Sequence, residues 1–165
     1  MKETMDMRGQ LVVQLSDRAG RIIHRQRYKN HIVTRGRMLV AQLFTGVFDG
    51  PAPVPITHMA VGSAKDVETP VPPADGDEDL VAQRGERKPI SVGGYATPDE
   101  GGVTRVRVSL EAVFDFDDAN DPDTPLREAG IFNAAEDGVM YNRVVFEPVT
   151  KTEAFKLTLL WDVTF

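Results

Sequence analysis

Apolar and polar residues alternate along the C-terminal end of the chain. From Phe155 to Phe165 every odd position is apolar, and every even position except Leu160 is polar. This period of two places the two sets on opposite faces of a β-strand, with Trp161 on the core face. A second alternating run, Val103 to Phe116, predicts another strand. Because strands usually have about five or six residues, we expect a bend or bulge within it.

An N-terminal hairpin is predicted from a similar pattern. Leu11, Val13 and Leu15 alternate with their neighbours, and Ser16 to Gly20 supplies residues that favour a turn. Arg21 to Tyr28 then forms the return strand.

Further strands are predicted in the middle and C-terminal parts of the chain. Leu126 to Phe132 and Val139 to Val149 form a hairpin, and the segment between them ends in the favoured turn pair Asp137-Gly138. Ile56 to Val61 reads as a short strand. Glu86 to Val92 contains a proline, which cannot donate a ladder hydrogen bond, so we expect an edge or irregular strand.

One short α-helix is predicted from about Arg35 to Phe44. Thr34 is placed to cap its first turn, and Gly46 ends it. Its apolar residues recur at helical spacing and predict a face that packs on the core. These residues are Met38, Leu39, Val40, Leu43 and Phe44.

Two segments read as loops, near residues 62–79 and 117–125. Both are rich in aspartate and proline and poor in apolar residues, so we expect them to be mobile. Together these elements predict a single domain over residues 1–165, mainly β, built as an antiparallel β-sandwich or sheet with one short helix.

Composition narrows the function classes. The net charge is −6, from 25 acidic and 19 basic residues, which argues against a nucleic-acid partner. The absence of cysteine excludes disulfides, thiolate metal sites and cysteine nucleophiles. No apolar stretch approaches the roughly 20 residues that span a bilayer, and Met1 to Gln10 has no signal-peptide core. We therefore expect a soluble protein made in the cytoplasm.

No residue pattern indicates catalysis, a cofactor or a metal centre. The histidines, His24, His31 and His58, lack the spacing of a zinc site. Asp75, Asp77, Asp79 and Glu86 match the positions of acidic ligands in a calcium loop, but Leu80 replaces the required glycine. A solvated acidic loop is the favoured interpretation, and cation binding between Asp75 and Asp79 stays open.

Two other groups of side chains are candidate contact residues. Arg105 and Arg107 share a strand face, where they would contact an anion or, by the favoured interpretation, pair with carboxylates across the sheet. Carbohydrate-binding sites use exposed aromatic rings, for which Tyr28, Tyr95 and Tyr141 are the candidates. A ligand- or carbohydrate-binding β-sandwich is therefore the alternative to a structural role.

Four short segments occur in an order typical of one group of proteins. They are Asn30 to Arg37, Ile56 to Gly62, Leu126 to Asn133 and Phe146 to Lys151, followed by the strand that contains Trp161. This order resembles small structural proteins of tailed-phage tails and of related contractile injection systems, and the tail-collar type of fibre attachment domain. The resemblance covers Asn30 to Phe165.

The resemblance implies a non-enzymatic structural subunit of a virion or phage-like particle, in a tail, baseplate, neck or collar. Anchoring of fibres is a further role that the resemblance implies. However, no fibre-like repeat follows Phe165, so we expect a small complete component. The implied partners are other particle proteins and copies of the chain in a symmetric ring, with no nucleic acid, membrane or small-molecule substrate. A head decoration protein is a further alternative.

Overall fold

The protein is described from a computed structural model, which covers residues 7–64 and 71–165. Its elements are mainly antiparallel strands with one helix, as the sequence predicts. In chain order they are β1 (Arg8–Asp17), β2 (Ile22–Lys29), β3 (His31–Ile32), α1 (Thr34–Thr45), β4 (His58–Gly62), β5 (Lys88–Pro89), β6 (Ser91–Ala96), β7 (Asp99–Glu100), β8 (Val103–Thr104), β9 (Arg107–Phe114), β10 (Leu126–Phe132), β11 (Met140–Val149) and β12 (Phe155–Thr164).

Two five-stranded sheets share one hydrophobic core. The first sheet has the order β2-β1-β12-β9-β6, and the second has the order β3-β11-β10-β4-β5. Alternate residues of both sheets, such as Leu159 in the first and Ile131 in the second, belong to the same buried cluster. The two sheets therefore form a sandwich. The strands β7 and β8 form a separate small hairpin.

The C-terminal strand β12 lies between β1 and β9 in the middle of the first sheet. Its odd positions are buried as predicted, and Trp161 is 0% exposed. The N-terminal hairpin of β1 and β2 is also confirmed. Its turn is closed by Asp17, whose carboxylate accepts the backbone N–H groups of Ala19 and Arg21 at 2.9 Å each.

The long strand predicted over Val103 to Phe116 is divided into β8 and β9. The chain changes its pairing partner between them. The N–H of Arg105 bonds to the carbonyl of Pro98, next to β7, whereas Val106 exchanges two backbone hydrogen bonds with Phe165, next to β12. Val106 is 45% exposed. The predicted strand is thus interrupted at Arg105 and Val106.

The helix α1 ends at Gly46, as predicted, with this residue in the left-handed conformation at φ +66°. The predicted Thr34 cap is wrong. Val33 is the N-cap, and no side chain caps the helix. The backbone N–H of Thr34 instead donates to the carbonyl of Asp75 at 2.8 Å.

The predicted core-facing apolar face of α1 is confirmed for Leu39 and Val40, which pack on the core, and is wrong for its other three residues, which are exposed: Met38, Leu43 and Phe44. Only Gly36 and Leu39 are buried in this helix. Gly36 touches β11, and a Cβ at this position would lie 2.0 Å from the backbone oxygen of Tyr141. The helix is therefore attached through its N-terminal half, while Leu43 and Phe44 in the other half are exposed.

The remaining predicted strands lie close to their expected positions. The second hairpin is confirmed as β10 and β11. The short strand predicted over Ile56 to Val61 is β4. The edge or irregular strand predicted over Glu86 to Val92 is divided between β5, which contains Pro89 at the edge of the second sheet, and β6, at the edge of the first sheet. No helix among the described residues is long and apolar enough to cross a lipid bilayer.

Apart from Gly62, which ends β4, the two predicted loops have no strand or helix in their described parts. Residues 65–70 of the first loop lie outside the described residues. Residues 71–82, called the strap below, run over the outer face of the second sheet, where Leu80 packs with Phe132 and Met140. The strap is thus bound to the sandwich by packing, while the mobility expected of both loops stays a prediction.

Candidate functional site

The acidic run of the strap pairs with basic side chains of the sandwich and the helix. The pairs are Asp75 with His31 at 2.9 Å, Asp77 with Arg143 at 3.0 Å, Glu78 with Arg35 at 2.7 Å and Asp79 with Arg87 at 3.5 Å. The side chains of Asp75, Glu78 and Asp79 are still 60–64% exposed, so the acidic run is solvated, as expected, and is paired as well. The structure also does not bring Glu86 to these aspartates. Within residues 7–64 and 71–165, no group of three or more His, Asp or Glu side chains is placed to hold a metal ion.

A buried ionic cluster fastens the strap to the second sheet. Arg143 and Glu128 are each 0% exposed, and the guanidinium Nε donates to the Glu128 carboxylate at 2.8 Å. The other guanidinium nitrogens donate to Asp77 at 3.0 Å and to the carbonyl of Val71 at 3.1 Å. The second Glu128 oxygen accepts the N–H of Ala82 at 2.9 Å. Both ends of the strap are thus bound by this one charge pair.

Gly62 makes this close approach possible. A Cβ at Gly62 would lie 2.5 Å from the backbone oxygen of Ala82 and 2.6 Å from a Glu128 carboxylate oxygen. Glycine, which has no Cβ, allows two backbone segments to approach this closely. The ion pair itself was not predictable from the sequence, because Glu128 and Arg143 lie on separate strands and show no recognisable spacing.

A second charged contact supports the turn between β10 and β11. Arg87 is 8% exposed, and its guanidinium lies over the Phe132 ring at 3.6 Å. It also donates to the carbonyls of Ala134 and Asp137. Burial lowers the pKa of Arg87. These contacts are structural, since the guanidinium has its partners within the chain.

An open polar cavity of about 600 Å³ lies at the end of the sandwich where β1 begins and β12 ends. We call it the basic cleft, because Arg8, Lys29, Arg37 and Arg107 line it. Arg8 pairs with Glu100, which also lines the cleft. The other three cations form no ion pair with any residue that the structure describes.

Two further polar groups of the basic cleft bear on what it can bind. The side-chain nitrogen of Asn30 is buried without a hydrogen-bond partner. The Asp162 carboxylate accepts the Ser109 hydroxyl at 2.6 Å. Donors therefore outnumber free acceptors, and the arrangement suits an anionic group. The carboxylate pairing favoured for Arg105 and Arg107 from the sequence does not form among the described residues.

An exposed apolar surface is formed by the C-terminal half of α1 and the segment that follows it. We call it the α1 apolar surface. Phe44 is 89% exposed and Val47 is 75% exposed. Its other members are Leu43 and Phe48. The sequence pattern revealed these residues as apolar but assigned those on the helix to the core.

Most of the candidate aromatic residues are not available to a ligand. Trp161 and Tyr141 are buried, and burial raises the pKa of Tyr141 to about 12. Tyr28 is half-buried and its ring lies 5.8 Å from that of Phe146. Only Tyr95, of the candidates named from the sequence, has a largely exposed ring.

The three histidines occupy separate strands. His31 in β3 bonds to Asp75, and His58 in β4 bonds to the Thr57 hydroxyl at 2.8 Å. His24 lies in β2, at the edge of the first sheet. The structure therefore does not gather them at one place.

Comparison with known proteins returned no match. No protein-family model, no curated protein and no solved structure matches this chain. The resemblance to tail and injection-particle proteins stays a prediction.

Proposed function

We propose that this protein is a non-enzymatic structural subunit of a tailed-phage virion or a phage-like contractile injection particle. Its place is a tail, baseplate, neck or collar, where it contacts other particle proteins and copies of itself. The assembly role is inferred from the α1 apolar surface. The assignment to a phage or phage-like particle is inferred from the order of the sequence motifs.

Phe44 is the clearest feature of this surface. Its side chain is 89% exposed on a helix whose buried residues, Gly36 and Leu39, both lie in the N-terminal half. Burying a side chain of this kind contributes about 1.5–3 kcal/mol. Adjacent exposed apolar residues typically mark a protein interface. Repeated around a ring, a modest interface of about 800 Å² per partner gives a stable assembly.

The charged features of the strap support the same proposal. Its carboxylates are engaged in ion pairs that hold the chain together, which leaves the strap without free acid–base groups. The α1 apolar surface has no partner among the described residues, and apolar surface of this kind is suited to binding protein.

The test is incorporation of the chain into particles. Phe44→Asp places a charge on the α1 apolar surface, and Tyr95→Asp is the matched control on another exposed aromatic residue. We expect both variants to unfold at the wild-type temperature, Phe44→Asp to be lost from purified particles, and Tyr95→Asp to be retained. Peptide mass spectrometry and antibody-gold electron microscopy report incorporation and position.

Equal incorporation of both variants would refute the role of the α1 apolar surface. Particles from the source organism that lack the wild-type chain would refute the proposed function itself. Gold label on heads rather than tails would identify the alternative, a head decoration protein.

A further inference from the structure

We propose that the basic cleft binds the acidic loop of a second copy of this chain, so that copies join head to tail. The acidic loop is defined as residues 115–123. This inference deepens the proposed function and rests on it, because it names the contact between copies.

The basic cleft and the acidic loop lie at opposite ends of the sandwich. β9 begins at Arg107, which lines the cleft, and ends at Phe114, next to the acidic loop. Its eight residues span about 26 Å at about 3.3 Å each. In β12 the order is reversed: Phe155 lies at the loop end and Thr164 lines the cleft. A contact between two different ends of identical molecules is heterologous, and it produces a ring when its rotation closes.

The cleft offers positive charge that no described residue neutralises through an ion pair. Lys29, Arg37 and Arg107 come from β2, α1 and β9, and none has an ion-pair partner among the described residues. Like charges gathered in one cleft repel one another and attract an anion. The Asn30 amide adds a donor without an acceptor. The fold therefore holds these groups together although they do not stabilise one another.

The acidic loop carries the complementary charge. Five aspartates lie within it, of which Asp118 pairs with Lys88 at 2.6 Å and Asp121 pairs with Arg84 at 2.9 Å. The remaining three are exposed and form no ion pair with a described residue. They are Asp115, Asp117 and Asp123.

The loop is held in shape by bonds inside the chain. Lys151 is 1% exposed and donates to the carbonyl of Asp115 and to the Asn120 side chain at 2.8 Å each. The Asp121 carboxylate accepts the N–H groups of Asp123 and Thr124. A loop ordered in this way loses less conformational entropy when it binds.

The acidic run of the strap cannot take this role, since its four carboxylates already pair with His31, Arg143, Arg35 and Arg87. Nor does the α1 apolar surface fit a cleft lined with charged groups. Of the acidic segments in the described chain, the loop at the far end has exposed carboxylates to offer.

The test is a pair of charge reversals. Arg107→Glu changes the cleft, and the double substitution Asp117→Arg and Asp123→Arg changes the loop. The matched control is Arg25→Glu, an exposed arginine of β2 outside the cleft. Circular dichroism and thermal unfolding verify that each variant folds.

Analytical ultracentrifugation then measures self-association. We expect the wild-type chain to associate more weakly as ionic strength rises from about 0.01 M to about 0.5 M. Each reversal alone weakens association at least about tenfold, and Arg25→Glu does not. A mixture of the two reversed proteins regains association, because the acidic cleft of one accepts the basic loop of the other and the native cleft accepts the native loop.

A monomeric wild-type chain, or a mixture that fails to associate, would overturn the inference. Tight binding of inorganic phosphate by a monomeric chain would identify the cleft as a site for a small anion instead. The proposed function fails separately, by absence of the chain from particles. A monomer that still enters particles through Phe44 would leave the proposed function intact.

Discussion

The ion pair between Arg143 and Glu128 gives the sharpest prediction about stability. Arg143→Met retains much of the side-chain volume but removes every charged contact of the guanidinium. Glu128 would then be buried at 0% exposure with the N–H of Ala82 as its remaining hydrogen bond in the described chain. Asp77 and the carbonyl of Val71 would lose their partner as well.

Breaking a buried pair from one side leaves an uncompensated charge and costs about 3–5 kcal/mol. Removing both charges with Glu128→Leu and Arg143→Met avoids this penalty. The double variant still leaves the N–H of Ala82 without an acceptor, at about 1–3 kcal/mol. We therefore expect the double variant to be more stable than either single variant.

Urea unfolding provides the assay, because the single tryptophan, Trp161, is fully buried and reports loss of the core. Arg35→Met is the matched control. It removes an exposed pair with Glu78 in the same acidic run, which contributes about 0–1 kcal/mol. A loss of less than about 1 kcal/mol in Arg143→Met, or additive losses in the double variant, would refute the reasoning.

Three further changes test other contacts. Gly36→Ala gains about 1 kcal/mol of helix propensity, but the Cβ clash with β11 costs about 1–3 kcal/mol. The free energy of unfolding in urea is therefore unchanged or lower. The control is Gly76→Ala, at a position with open space around it, which stays within about 0.5 kcal/mol of wild type. Lys151→Met leaves the acceptors of the acidic loop unpaired and lowers the free energy of unfolding by about 2–3 kcal/mol in the same assay. Burial acts to raise the pKa of Asp118, but bonds to Lys88 and to the backbone outweigh it and hold the pKa below 3.8. The stability from this carboxylate is therefore present above pH 3.8 and is lost as the pH falls through the lowered pKa. In acid unfolding curves, we expect Asp118→Asn to lose less stability between neutral and low pH than the wild-type protein does.

The strands were predictable because the two-residue period depends only on which face is buried. β12 and β10 lie at or within one residue of their predicted ends. The helix was located correctly, but its apolar residues were assigned to the core. A helical period shows which residues share a face. It does not show how far the neighbouring strand extends beneath the helix, and β11 supports only the half around Gly36 and Leu39.

The ion pairs of the acidic run were not predictable for a related reason. Its local spacing resembles a loop that binds cations or water, and the partners that neutralise it are distant in sequence. Arg143 is 66 residues from Asp77 in the sequence. Arg35, which pairs with Glu78, lies on the helix that precedes the strap. Long-range pairing of this kind depends on the fold, which the spacing of one segment does not contain.

The glycines in the motif segments serve the fold. A Cβ at Gly36 would meet the backbone of β11, and one at Gly62 would meet the strap. At Gly130 it would lie 3.0 Å from the backbone oxygen of Asn142. All three residues allow backbone segments to pack closely, and none lines the basic cleft or belongs to the α1 apolar surface. The tests of function must therefore alter Phe44, Arg107 and Asp117, which lie at the proposed contacts, rather than these glycines.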